Sequence, residues 1–500
     1  MRSMESKRVM VIGLGISGSA AATLLRKRGA RVTAVDSADT PALRQEAARL
    51  RGEGTEVLLG AMQAPEGEFD LVVTSPGVPP TSPILTEMTG RGVTVIGEME
   101  LAFRYSLCLN IAITGTNGKT TTTELVEHAL KQNQTKTIAA GNIGLPVCSI
   151  VDQTSDLDFL TLEVSSFQLE TIQFFRPVIA VMLNLTPDHL DRYANMEEYI
   201  RAKARIFMNQ QAFDWAIVQS EALAKMQALG LSIPSKIITF SATDPAADIY
   251  LDRGLLISRM QDWAGPLLDM DHCRLRGPHN AENLMAALAV GRVLRIGLSG
   301  MVESLKAYEP AAHRCEVVAE IDGVTYINDS KATNLDAVQK ALLSVPAAAD
   351  NHPNVWLIAG GRDKGLGFHE VGPLLSRKVK GAFLIGEARE KLRAAWGLFT
   401  RCTLVDSLIQ AVEEASQCAE PGDVVLLSPA CSSFDQFRDY KHRGEVFRQA
   451  VNHLQNFESE PGGRTSGPAT GSGPLSETYN TDFNDTRASK RARELTGARI

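Results

Sequence analysis

Short apolar runs punctuate this chain, and most of them end in a glycine or a polar cluster. RVMVIG (8–13) reads as a buried strand, GLGISG (13–18) turns into a helix expected to reach about Arg28, and RVTAVD (31–36) and LVVTSPG (71–77) read as further strands. Strands alternating with helices imply a parallel sheet, and this first unit is expected to close near residue 104. A second series opens at LNIAITG (109–115), with a helix from Lys119. It continues through strands FLTLEV (159–164) and VIAVMLNL (178–185), a helix over EEYIRAKARIF (197–207) and an Ala-rich amphipathic helix over NAENLMAALAVGRVL (280–294). A third unit begins with CEVVAEIDGVTYIND (315–329), a hairpin pattern around Asp322-Gly323, followed by strands VWLIAGG (355–361), GAFLIG (381–386) and VVLLSPA (424–430).

The expected fold class is therefore α/β in three domains. Residues 1–104 form a Rossmann-like domain, 105–310 a central phosphate-loop domain with a parallel sheet, and 311–456 a second Rossmann-like domain. Residues 457–500 are dominated by Gly, Ser, Thr, Pro and Arg and are expected to form a disordered tail. No internal sequence repeat is evident.

Composition narrows the classes. The 500 residues are 44% hydrophobic and 22% charged, as expected of a globular protein with real cores. A net charge of −7 argues against general nucleic-acid binding. No apolar run approaches the roughly 18 residues that span a bilayer, and the N-terminal stretch MRSMESKRVMVIGLG lacks the form of a signal peptide. The seven cysteines include no C-x-x-C pair and read as reduced thiols of a cytoplasmic protein.

Two glycine loops carry the first chemistry. Gly13, Gly15 and Gly18 match G-x-G-x-x-G after a strand, with Asp36 ending the next strand. That pattern suits a dinucleotide or another diphosphate, and it also suits tight strand–helix packing alone. The second loop, Gly115-Thr116-Asn117-Gly118-Lys119-Thr120-Thr121, is a shortened phosphate loop, since Ile113 stands where the longer form has glycine. Its glycines admit close backbone approach, Lys119 offers a cation to terminal phosphates, and Thr120 offers a hydroxyl to Mg²⁺.

Glu163 ends an apolar strand, where α/β sheets present ligands, and a carboxylate there suits Mg²⁺. Asn184, Asp188, His189 and Asp191 follow the next strand in the same way. Lys203, on a helix, reads from its neighbours alone as a solvated residue. NDSKATN (328–334), AGGRDKG (359–365) and SPACSSFDQF (428–437) follow three strands of the third unit, which points to one shared cleft or to three capping turns.

Taken together, GTNGKTT, LEVSSFQLE, NLTPDHLDRY, the Y-x-x-A-K helix, GPHNAEN, HR-x-E, NDSKATN and SPACSSFDQF resemble the Mur ligase family, in the family's order, over about residues 8–454. Within it, GLGISG, TSPGVP, GNIGLP and SPAC-x-S-x-DQF-x-x-Y-x-x-RG resemble the branch that adds D-glutamate to UDP-N-acetylmuramoyl-L-alanine. The resemblance implies an ATP- and Mg²⁺-dependent amide ligase of peptidoglycan synthesis, acting through an acyl phosphate, cytoplasmic and monomeric. It assigns the first loop to UDP, with Ile16, Ser17, Asp36, Ser37 and Gly77 around the nucleotide and Asn142 and His189 toward the muramoyl part. It implies two Mg²⁺ ions held by Thr120, Glu163, His189 and a carbamylated Lys203. For ATP it adds Asn283, Arg314 and Asp329 to the loop residues, making Lys119, His189, Lys203 and Arg314 the catalytic set. For D-glutamate it implies Lys331, Thr333, Lys364, Ser433, Phe434 and Tyr440.

The resemblance also implies that the third domain swings on hinges near residues 309–312. Two departures stand out: Ala38, where some relatives carry a basic residue, bears on one uridine-nucleotide contact, and Cys315, where relatives often carry a larger apolar residue, is expected to change packing and not activity. The rival readings are a sister Mur ligase or folylpolyglutamate synthase with another acceptor, an NAD-dependent oxidoreductase built on GLGISG, and a non-catalytic nucleotide-binding protein.

Overall fold

The apolar runs assemble into three sheets. The computed structural model describes residues 4–142, 144–190, 192–309, 312–346, 352–363 and 367–458, with side chains through Gln455. The expected tail therefore lies outside the described residues from position 459 onward.

The first sheet contains β1 (Arg8–Ile12), β2 (Arg31–Asp36), β3 (Glu56–Leu59), β4 (Leu71–Thr74) and β5 (Val95–Gly97), all parallel, in the order β3-β2-β1-β4-β5. The order reverses between β1 and β4, so a crevice opens beyond their C-terminal ends. The loops 13–17 and 75–79 line that crevice.

The second sheet contains β6 (Leu109–Thr114), β7 (Thr137–Gly141), β8 (Phe159–Glu163), β9 (Ile179–Met182), β10 (Trp215–Gln219), β11 (Lys236–Ser241), β12 (Ile249–Asp252), β13 (Leu255–Ser258) and β14 (Gly265–Asp269). Its order is β14-β13-β12-β11-β10-β9-β6-β8-β7, parallel from β7 to β12 and antiparallel through β12, β13 and β14. β6 lies between β8 and β9, so the phosphate loop, Glu163 and Asn184 leave neighbouring strand ends. The pattern reading assigned no strand between Trp215 and Asp269. The last three of those strands are short and only partly buried, so they carry little apolar signal.

The third sheet contains β15 (Glu316–Ile321), β16 (Val324–Asn328), β17 (Val355–Gly360), β18 (Val379–Ile385), β19 (Arg401–Leu404) and β20 (Val424–Leu427), in the order β15-β16-β20-β17-β18-β19. β15 and β16 form the expected hairpin, closed by Asp322 (φ 48°) and Gly323 (φ 77°), both in the left-handed region that a two-residue turn requires. β16, β20 and β17 are parallel neighbours, which brings the three polar clusters to one edge of the sheet.

One helix differs from its expected character. Pro278–Val293 is not amphipathic: residues from Asn280 through Gly291 are buried nearly all round. It is sandwiched between the second sheet and the helices Lys119–Gln132 and Leu298–Lys306, so it has no solvent face to carry charge. Met196–Ala204 forms the expected helix around Lys203 and tightens into a 3₁₀ turn over Arg205–Phe207.

Candidate active site

The first crevice has a volume of about 530 Å³ and is lined by Ile16, Ser17, Asp36, Ser37, Gly77 and Asn142, six of the seven residues expected there. Gly13 and Gly18 of its loop are needed for close approach. A Cβ on Gly18 would lie 1.8 Å from the Gly13 carbonyl oxygen, whereas one on Gly15 would meet nothing within 4 Å. Gly18 therefore serves strand–helix packing, and Gly15 leaves open space at the start of the helix Ile16–Lys27. Asp36 holds the loop, accepting hydrogen bonds from the backbone N–H groups of Leu14 (2.7 Å) and Ala38 (2.9 Å). Ser75, which sequence reasoning missed, donates to the Gly13 carbonyl at 2.8 Å, and Gln168 also lines the crevice.

The second cleft, of about 280 Å³, lies between the phosphate loop and the third sheet. A Cβ on Gly115 would lie 2.8 Å from Leu183 Cβ, and one on Gly118 would lie 2.4 Å from Asn283 Oδ1, so glycine is required at both. The loop is held from outside: Asn117 N–H donates to Asn184 Oδ1 at 2.8 Å, and Thr116 Oγ1 donates to the Thr186 carbonyl at 3.0 Å. Lys119 Nζ donates to the carbonyls of Gly115 (2.9 Å) and Thr116 (2.6 Å). Thr120 Oγ1 donates to Glu163 Oε2 at 2.7 Å, and Asn142 Nδ2 donates to Glu163 Oε1 at 2.9 Å. Asn142 lines both clefts and so joins them.

Lys203 is a correction to the residue-level reading of a solvated side chain. It is 2% exposed and lies behind the loop, donating to the Gly115 carbonyl at 2.8 Å. Two lysine amines thus share one carbonyl oxygen. Burial, then repulsion from Lys119, drives the Lys203 amine well below its ordinary pKa. Burial lowers Lys119 as well, opposed by Glu163 and Asp188. His189, the seventh residue expected around the precursor, lines the second cleft and not the first. It adopts φ 54° and packs against Phe167 with ring centres 4.8 Å apart. Among the described residues no group of three or more His, Cys, Asp and Glu side chains is gathered as a metal cage. Asp191 lies outside the described residues.

Asn283 lines the cleft beside the loop, and Arg314, Asp329, Lys331 and Thr333 line it from the other side. Asn283 is buried and accepts from Thr122 Oγ1 at 3.1 Å. Arg314 is flanked by two non-glycine residues in the left-handed region, His313 (φ 67°) and Cys315 (φ 46°). Asp329 accepts from Ser428 Oγ (3.0 Å) and Cys315 N–H (3.2 Å), and burial raises its carboxyl to about 7. Lys331 Nζ lies 4.0 Å from the centre of the Tyr440 ring, a cation–π contact. Tyr440 reaches the cleft only through Lys331, buried Ser433 and exposed Phe434 do not line it, and Lys364 lies outside the described residues.

The structure adds Asn334, Asp336 and Lys340 to this wall. Asn334 caps the helix Leu335–Ser344 through its Oδ1, while its Nδ2 reaches Asn117 Oδ1 (3.3 Å) and Asp188 Oδ2 (3.4 Å). Asp336 accepts from Asn117 Nδ2 and pairs with Lys340 at 3.0 Å. The sequence signal was a cap, Asn334 followed by an acidic first turn; its second role needs the phosphate loop to be adjacent.

Comparison with known proteins agrees with this architecture. Three family models match: a MurD-like Mur ligase N-terminal domain over residues 7–97, a Mur ligase middle domain over 113–291, and a Mur ligase glutamate ligase domain over 313–431. The chain is 40% identical to a UDP-N-acetylmuramoylalanine–D-glutamate ligase of Acidobacterium capsulatum, covering 90% of this chain and 96% of that one. It is 40% identical to the ligase of the same name from Koribacter versatilis, covering 91% and 100%. Among solved structures, the UDP-N-acetylmuramate-alanine ligase MurC of Thermotoga maritima superposes with a TM-score of 0.56 at 19% identity, covering 90% of this chain and 99% of that chain. MurF ligase of Thermotoga maritima in complex with ADP superposes with a TM-score of 0.56 at 18% identity, covering 85% and 96%. This chain belongs to the Mur ligase family.

Proposed function

We propose that this protein is an ATP-dependent ligase that joins D-glutamate to UDP-N-acetylmuramoyl-L-alanine in peptidoglycan precursor synthesis, releasing ADP and phosphate. The observation that carries the reading is the continuity at Asn142, where a diphosphate-type crevice opens into a phosphate-loop cleft walled by Lys331 and Thr333. A nucleotide-sugar seated in the first would extend its free carboxylate into the second. The domains are residues 1–104, 105–310 and 311–456, carrying precursor, ATP and amino acid respectively.

ATP suits the second cleft because its glycine loop, pressed against Leu183 and Asn283, leads into the N-terminus of the helix Lys119–Gln132. The precursor carboxylate oxygen attacks the γ-phosphorus, the bond to the bridging oxygen breaks, and ADP leaves. Lys119 and Arg314 oppose the charge that spreads over the transferring group. Thr120, Glu163, His189 and carbamylated Lys203 would hold Mg²⁺, which when bound supplies further charge neutralisation. The neutral amine of D-glutamate then attacks the acyl carbon, phosphate departs, and the amine's proton passes to solvent. Lys331, Thr333, Lys364, Ser433, Phe434 and Tyr440 position that acceptor. The buried amine of Lys203 supports carbamylation, since only a neutral amine adds to CO₂ with loss of a proton.

Closure of the third domain excludes water from the acyl phosphate. Its hinge spans 309–312, of which Pro310 and Ala311 lie outside the described residues. The protein is proposed to act as a cytoplasmic monomer without nucleic acid. Among the described residues no helix is long and apolar enough to cross a membrane.

The test is phosphate release from ATP with UDP-N-acetylmuramoyl-L-alanine and D-glutamate, L-glutamate, L-lysine or meso-diaminopimelate added singly. Release that needs both the nucleotide-sugar and D-glutamate is expected. Release with another amino acid keeps the chemistry and changes the acceptor, and none with any pair overturns the reading.

A further inference from the structure

Arg443 is fully buried in the first turn of the helix Tyr440–Glu458. Burial and its place at a helix N-terminus both disfavour it there, while Asp435 and Asp329 favour it only through longer-range charge. A buried guanidinium loses its hydration, and the N-terminal end of a helix repels cations. No carboxylate oxygen of a described residue lies within ion-pair distance of it. Burial lowers its pKa to about 10, so it remains a cation at neutral pH.

Its hydrogen bonds explain why it stays. Nη2 donates to the carbonyls of Ser330 (2.8 Å) and Cys431 (3.2 Å), and Nη1 to those of Cys431 (3.2 Å) and Gly360 (3.4 Å). Nε donates to Ser330 Oγ at 3.0 Å, and that hydroxyl donates to the Tyr440 carbonyl at 2.8 Å. Ser330, Gly360 and Cys431 follow or end β16, β17 and β20, the three adjacent strands. The planar fork thus ties three loops together. A Cβ on Gly361 would lie 3.1 Å from Nη1 and 2.2 Å from the Ser432 carbonyl oxygen, so the β17 loop is shaped to pass beside the guanidinium.

We propose that Arg443 is a positioning residue for the acceptor amino acid: by locking these three strand ends it sets the groups that follow them, Lys331 and Ser433 among them, at the spacing of the acceptor's carboxylates. Lys331 follows Ser330 directly, and Ser433 stands two residues beyond Cys431. The inference rests on the acceptor reading above. It assigns to the Y-x-x-R-G motif a role that needs no contact with substrate.

The test measures KM for all three substrates in the full-length protein, using whichever amino acid the wild type accepts. Arg443→Ala and Arg443→Lys are expected to raise the acceptor KM about tenfold or more, with KM for ATP and for the nucleotide-sugar held within about twofold. Lysine keeps the charge and loses the fork, so failure of Arg443→Lys to restore KM separates geometry from charge. Should Arg443→Ala not fold, Ser330→Ala removes the Nε and Tyr440 bonds alone and is expected to raise the acceptor KM about threefold. An unchanged acceptor KM, or an equal shift in all three, overturns the inference. A wild type that uses an amino acid other than D-glutamate overturns the acceptor reading instead, and the same KM pattern is then expected for that amino acid.

Discussion

The first and second sheets meet through apolar side chains, whereas the second and third meet through polar ones belonging to the phosphate loop. One apolar cluster runs unbroken from Val9, Leu24 and Leu25 of the first unit to Leu160, Leu162 and Phe175 of the second. Phe103 and Phe175 pack edge to face there, with ring centres 5.4 Å apart. The helix Glu98–Phe103 is pinned by fully buried Glu100, which accepts the backbone N–H groups of Gln173 (3.0 Å) and Phe175 (2.9 Å). At the other seam the apolar clusters are separate, and the contacts are Asn117 to Asp336 and Asn334 to Asn117 and Asp188. Apolar contact excludes water and leaves nothing to exchange with it. Polar contacts trade with water at a net difference of about 1 kcal/mol each. On the proposed function, the seam that admits ATP and an amino acid is the polar one.

If that contrast is right, substitutions at the polar seam damage turnover and spare stability, and those at the apolar seam do the reverse. The largest effect is expected just behind the polar seam, for Lys203→Ala: a loss of about a thousandfold or more in phosphate release, or about 4 kcal/mol in barrier. Formate or acetate should restore part of the rate, while the melting temperature stays near that of the wild type. Full activity in this variant would remove Lys203 from the metal site.

Next, Phe175→Ala should destabilise by about 3–4 kcal/mol in denaturant unfolding, through lost burial and a cavity, with kcat preserved where the protein remains folded. A large loss of kcat with little change in unfolding midpoint would reverse the contrast.

Glu98 sharpens it through pH. It is fully buried, accepts the Cys148 N–H at 2.6 Å, and burial raises its carboxyl from 4.5 to about 7. The folded state then holds a proton that the unfolded state releases between these values. Its contribution is full below the unfolded pKa and is lost as pH rises toward 7. Glu98→Gln should therefore gain up to about 3 kcal/mol relative to the wild type between pH 4.5 and 8. Parallel pH–stability profiles for the two proteins would count against this.

The smallest effect is expected at the contact between Asn117 and Asp336. Asp336→Ala should lower kcat/KM roughly three- to tenfold, about 1 kcal/mol, and expand the molecule in solution scattering with ATP bound. Scattering profiles identical to wild type would mean that the contact follows closure without holding it.

Much of this was legible in the chain. The runs that became β1, β4, β6, β8, β9, β17, β18 and β20 are dense in β-branched and other apolar residues because these strands are buried on both faces, while β2 and β16 keep half-buried positions on one of them. The phosphate loop was legible because only glycine tolerates the approach of Leu183 and Asn283 to its backbone. The strands β12, β13 and β14 were not, since short, half-buried strands alternate over too few residues to stand out.

The residues that the chain by itself determined are those whose chemistry is local: a turn that needs glycine, a cap that needs Asn334, a strand that needs burial. Tertiary structure alone decided the rest. It buried Lys203 behind the loop that Lys119 also serves, put Asn334 and Asp336 against Asn117, and gathered three strand ends around Arg443. Burial and the sign of the neighbouring charges set what a lysine or an arginine does, and both come from residues far away in the chain.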